Sequence, residues 1–223
     1  MDLFPLWNSI RIALISAVIV FFLGILAAYY IAKLPRIVKG ILDVILTLPL
    51  VLPPTVVGYM MLRLVGTRYP FGQFLRNAFN LVIPMKWWSA ILVTIIVIFP
   101  LMYRTTRAAF ESFDETLGYA GKTLGLSNTY IFWRIRMPFC RQGILAGTVL
   151  AFARALGEYG ATSMLIGYTP GRTATISTTV YQLWRTNDER GAMFWVLVNL
   201  AISTVVLLAV NMLETRQKKA VKA

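Results

Sequence analysis

At 223 residues and 58% hydrophobic, with a mean hydropathy of +0.68, the chain is too apolar for a soluble domain of its size and reads as an integral membrane protein. Its formal net charge of +13 would suggest nucleic acid in a soluble protein, but the cations crowd the ends of apolar segments and no nucleic-acid partner is expected. There is no histidine and Cys140 is the lone cysteine, so a Cys/His metal site, an internal disulfide, a cofactor and redox chemistry are not expected.

The N-terminus carries Asp2 and no cation before Arg11, unlike the basic start of a cleavable signal peptide, so the first apolar segment is expected to stay in the mature protein. Because about 20 mostly apolar residues cross a bilayer, five segments are predicted to span: 12–32, 44–62, 87–103, 143–167 and 191–213. All are uncharged except the fourth, which contains Arg154 and Glu158. An odd number of spans puts the termini on opposite sides. With the N-terminus outside, thirteen cations fall on inner segments and eight on outer ones, which favours an external N-terminus and a cytoplasmic C-terminus.

The second segment holds Leu48-Pro49-Leu50-Val51-Leu52-Pro53-Pro54-Thr55-Val56-Val57-Gly58. Prolines remove backbone donors, and irregular backbone at membrane depth is tolerated only against protein or a water-filled cavity. The segment is therefore expected near a pathway or subunit contact, with a simple packing kink as the alternative. Tyr69, Pro70, Gly72 and Asn80 predict an outer turn region, followed by Trp87 and Trp88 as an interface anchor.

Residues 111–138 are the least apolar stretch between two spans and are placed in the cytoplasm by the charge pattern. Asp114 predicts an N-cap with Glu115 in the first turn, and Gly125 a left-handed end to that helix. Leu117, Ala120 and Leu124 share a face, while Gly118, Ala120 and Gly121 predict a shallow surface that another chain could approach. Ser127 or Asn128 predicts the start of a second short helix ending before Pro138. Gly121-Lys122-Thr123 imitates the end of a phosphate-binding loop, but Thr116 stands where the first glycine is required and no strand is predicted before it. The chain is not expected to bind or hydrolyse ATP.

The spacing from Gly125 through nine residues to Ile135, then Met137 and Pro138, resembles the signature loop of permease subunits of ATP-binding-cassette importers. That family's pattern is Glu-Ala-Ala, three residues, Gly, nine residues, Ile, one residue, Leu-Pro. Its first three positions fall on Tyr119, Ala120 and Gly121, of which only Ala120 agrees, and Met137 replaces the leucine. The resemblance assigns contact with an ATPase subunit to Tyr119, Ala120, Gly121, Gly125, Ile135 and Pro138.

Leu48 to Gly58, Leu150 to Thr162 and Pro170 to Ile176 further resemble molybdate permeases, with sulfate permeases next. The implied protein is an all-α, five-span permease in a prokaryotic plasma membrane, paired with a copy of itself. It would work with a separate ATPase and an extracellular or periplasmic oxyanion-binding protein. Neither proton- or sodium-coupled transport nor membrane enzymology is supported, since Glu158 is the only intramembrane acid and no reactive cluster is visible. Arg154 and Glu158, four residues apart, are expected to pair and either lock the bundle or serve the path. Arg172, Arg185 and Arg190 are expected outside, as docking points for the binding protein or as solubilising charge.

Overall fold

The computed structural model describes the backbone of residues 2–222 and side chains as far as Leu208. Among the described residues the chain is helical and has no strand. Three helices form its centre: α1 (Phe4–Ala32), α5 (Ser89–Glu111) and α8 (Met137–Leu156). Val20, Ile98, Met102 and Tyr103 are fully buried between them. Inside a bilayer lipid tails are as apolar as leucine, so helices associate through close packing, and small residues at the crossing make that possible. At Gly147 of α8 an added Cβ would lie 2.1 Å from Oγ1 of Thr105 on α5, so this crossing admits only glycine without a shift.

The expected second span is two helices, α2 (Arg36–Val51) and α3 (Pro54–Val65), bent by 110°. Leu52 and Pro53 between them are extended, and neither Pro53 nor Pro54 has an amide hydrogen to continue the ladder. This is a full break and not a packing kink. The expected fourth span is divided in the same way, into α8 and α9 (Gly160–Ile166), with Gly157, Glu158 and Tyr159 between them. The expected turn region after α3 contains instead a ten-residue helix, α4 (Pro70–Phe79), with Pro70 in its first turn and Asn80 as a left-handed cap at φ 50°.

Helices α1, α5 and the described part of α11 (Glu189–Lys222) are each long and apolar enough to cross a membrane, and α2 with α3 qualifies as one bent pair. The part of the expected span 191–213 beyond Leu208, and the C-terminal cations Arg216, Lys218, Lys219 and Lys222, lie outside the described side chains.

The loop between α5 and α8 folds as α6 (Glu115–Thr123) and α7 (Asn128–Ile131). α7 does not stop before Pro138: it continues through a π-helical turn, Phe132–Arg136, into α8, where Pro138 lies in the first turn. Pro138 has no N–H to donate, and the wider turn just before it lets the helix pass without a break. At the other end of the bundle, α10 (Ile176–Arg185) is started by a reciprocal cap between Thr175 and Thr178. Its preceding loop is tied to α1: the Asn8 amide donates to the carbonyls of Thr173 and Ala174 at 3.4 and 3.0 Å, and Ile176 donates to Ser9 at 2.9 Å.

Candidate functional site

The α6–α7 hairpin is built from local signals. Asp114 accepts the Thr116 N–H at 2.9 Å, a bond that holds its carboxyl below the usual carboxylate range. At the other end of α6, Leu126 donates to the Gly121 carbonyl and Gly125 to that of Lys122, with Gly125 at φ +74°. These two bonds form a Schellman motif, and the residue at its left-handed position is the glycine that the spacing pattern requires. Ser127 then caps α7 by accepting the Tyr130 N–H at 3.2 Å. Gly121, Lys122 and Thr123 form the last turn of α6, its carbonyl end, which is the wrong end for cradling phosphate.

The structure divides the expected contact residues into two sets. Tyr119, Ala120, Gly125 and Pro138 are exposed, as are Leu117 and Leu124. Gly121 and Gly118 are buried, and Ile135 is half-buried. A Cβ at Gly121 would lie 3.1 Å from Cγ1 of Ile131 and 3.4 Å from Cδ1 of Ile135. Gly121 is therefore small because α6 sits tightly on the helix leading into α8, which corrects the expectation of an outward shallow face at this position. Arg136 fastens the same junction, with Nη2 at 2.6 and 2.7 Å from the Glu115 carboxylate and its guanidinium 4.6 Å from the Phe113 ring centre.

The two helix breaks meet. A Cβ at Gly160 would lie 3.1 Å from both Pro54 and Thr55, and one at Gly58 would lie 2.7 Å from the Ala161 backbone. Arg154 and Glu158 stand at this junction, with Nη1 of one 2.8 Å from Oε2 of the other. The Glu158 side chain is 1% exposed and that of Arg154 34% exposed. Oε1 of Glu158 accepts the Ala161 N–H at 2.7 Å, so the carboxylate pairs with the arginine and satisfies an amide at the start of α9. The arrangement can hold a charge at the junction of two interrupted helices while leaving part of the Arg154 side chain exposed.

Arg172, Arg185 and Arg190 are exposed, in the turn before α10, at its last residue and at the second residue of α11. A group not anticipated from the sequence joins α2 to α5 near the loop: Asp43 meets Arg107 and the Tyr103 hydroxyl, Lys39 meets Glu111, and Arg107 Nε lies 2.9 Å from Glu111. The signal was present as two pairs at helical spacing, Lys39 with Asp43 and Arg107 with Glu111, of which only the cations bear on sidedness. Asn8 and Ser9 were also missed, because a single polar residue near a span end looks like ordinary boundary composition.

Residues 20–219 match the family described as the binding-protein-dependent transport system inner membrane component. The chain is 38% identical over 209 residues to the molybdenum transport system permease protein ModB of Escherichia coli strain K12, covering 92% of this chain and 91% of that protein. It is 33% identical over 211 residues to the putative molybdenum transport system permease protein YvgM of Bacillus subtilis strain 168, covering 95% and 93%. In fold it is similar to a bacterial ABC transporter involved in import of the acidic polysaccharide alginate, with TM-score 0.78 and 18% identity over 96% of this chain and 79% of that one. The inward-facing MetNI methionine ABC transporter gives TM-score 0.71 at 13% identity, covering 95% and 94%. With its family match over most of its length and the fold of an ABC importer permease, the chain belongs to the inner membrane components of binding-protein-dependent transport systems.

Proposed function

We propose that this chain is the permease subunit of a molybdate importer, working as a pair of identical copies with a separate ATPase subunit and an external oxyanion-binding protein. The observation that carries the substrate is the match along more than nine-tenths of the chain to relatives named as molybdenum permeases. The N-terminus is outside and the C-terminus and the 111–138 loop are in the cytoplasm, in keeping with the charge asymmetry. Tyr119, Ala120, Leu117 and Leu124, on the exposed side of α6, dock the ATPase subunit, while Gly121 and Ile135 hold α6 in place. Closure of the ATPase pair then moves α6, α8 follows through the unbroken helix from Asn128, and the junction of the two breaks opens to one side or the other.

Arg154 attracts the dianion at that junction and Glu158 keeps the attraction moderate, so that the anion is released. The exposed Arg172, Arg185 and Arg190 meet acidic residues of the binding protein. The test is reconstitution of the permease, ATPase subunit and binding protein in vesicles. Uptake of molybdate that needs ATP and is not displaced by excess sulfate is expected. Uptake of sulfate in preference would assign the sulfate reading, and uptake without the ATPase subunit would overturn the importer.

A further inference from the structure

We infer that the groove between the loop-side ends of α5 and α8 binds an anionic phospholipid, with Arg134 and Arg141 on the phosphate and an acyl chain along the small residues behind them. The groove holds about 1020 Å3, and Ala108, Ala109, Phe139 and Ala146 line it together with the two arginines. Charge decides the first half of the ligand. Arg134 and Arg141 are both exposed and have no carboxylate within 4 Å among the described residues; Lys33, Arg36, Arg104 and Lys122 share that state, but these two are the cations that line this groove. A guanidinium matches a phosphate with two parallel N–H donors.

Apolar lining decides the other half. A bare hydrated oxyanion would have to give up water against alanine methyls, while an amphiphile would not. Trp133 and Phe139, both more than half exposed beside these cations, supply the aromatic composition of a membrane boundary. Basic pockets between helices at a cytoplasmic surface suit anionic headgroups. The π-helical turn from Phe132 to Arg136 carries one of the two arginines, a backbone irregularity of a kind that recurs at functional sites.

The inference rests on the loop facing the cytoplasmic leaflet, as proposed above. The experiment is native mass spectrometry of the permease released from membranes of mixed phosphatidylglycerol and phosphatidylethanolamine. The pair Arg134→Gln with Arg141→Gln should lower retained phosphatidylglycerol roughly thirtyfold, the combined effect of two basic contacts, with phosphatidylethanolamine unchanged. Ala146→Phe, which fills the groove and leaves both arginines, should lower it as well, and Arg36→Gln should not. Undiminished retention in the first two variants overturns the site. So does full displacement by millimolar inorganic phosphate, which would mark a free-anion site, and so does loss of ATPase-subunit capture with lipid retention intact, which would mark a subunit contact. Labelling of an Ala120→Cys variant by an impermeant reagent from outside the cell would instead sink the orientation, and this readout is independent of lipid retention.

Discussion

Arg154 and Glu158 differ in what each loses without the other. Glu158 is almost fully enclosed, whereas a third of the Arg154 side chain reaches the surface. Arg154→Leu should therefore be the more damaging change, at about 3–5 kcal/mol for a stranded buried charge. Glu158→Leu leaves a cation that can turn toward solvent or headgroups but also strips the buried Ala161 N–H of its acceptor, at about 1–3 kcal/mol, so it should cost less though not little. Thermal unfolding of the purified subunit in detergent checks the order, and equal losses would contradict it. The pair itself was legible from its spacing of four. That Glu158 also accepts an amide of α9 was not, because Gly157 and Gly160 are breakers that a continuous helix also tolerates, and spacing alone does not say that the helix stops at Gly157 and restarts three residues later. The break depends on where Pro54 and Thr55 press against Gly160, and that is a tertiary contact.

The α6–α7 hairpin was the most legible element, since its caps at Asp114, Gly125 and Ser127 are local chemistry that operates before any packing. The hidden part was which side of α6 faces inward. Helical spacing puts Gly121 near both faces, and only contact with Ile131 and Ile135 settles it. Two variants should therefore part company. Ala120→Asp, on the exposed side, should weaken capture of the ATPase subunit with the hairpin intact. Gly121→Trp should dislodge α6, seen as increased proteolysis within residues 115–138. Gly125→Ala should destabilise the hairpin by about 1–2 kcal/mol, the cost of a left-handed conformation with a Cβ, and Gly125→Asn by less. The Asp114 cap also predicts a pH dependence. Its carboxyl is held low in the folded loop, so its contribution is complete above the unfolded carboxylate range and is lost as pH falls through the lowered value. The protection factors of the first turn of α6, with exchange rates corrected for the intrinsic pH dependence of amide exchange, should fall on acidification through the lowered value, and an Asp114→Asn variant should show no such fall.

At the scale of the whole molecule, hydropathy located the apolar segments but could not distinguish a straight span from two half-helices of the same composition. Segment 12–32 lies within one helix, while 44–62 and 143–167 each fall on two. Charge is likewise legible as a total and not as a set of partners. Lys39 and Arg107 are bound in the α2–α5 cluster, while Arg172, Arg185 and Arg190 remain exposed. If those three steer the binding protein, reversing all of them should slow uptake most at low salt, since screening extends about 30 Å at 0.01 M and about 10 Å at 0.1 M. A slowing that ignores ionic strength would remove them from docking. The ties from Asn8 and Ser9 to residues 173–176 bear on biogenesis. The amide of Asn8 is buried in the finished protein, yet its acceptors are made 165 and 166 residues later. At ribosomal rates of about 5–20 residues per second, the first helix waits on the order of ten seconds or more with that amide unmatched. The end of the bundle that holds Asn8 is thus sealed late, by a closing stitch between the earliest helix and one of the last loops, and an Asn8→Leu chain should insert normally yet leave that loop open to protease.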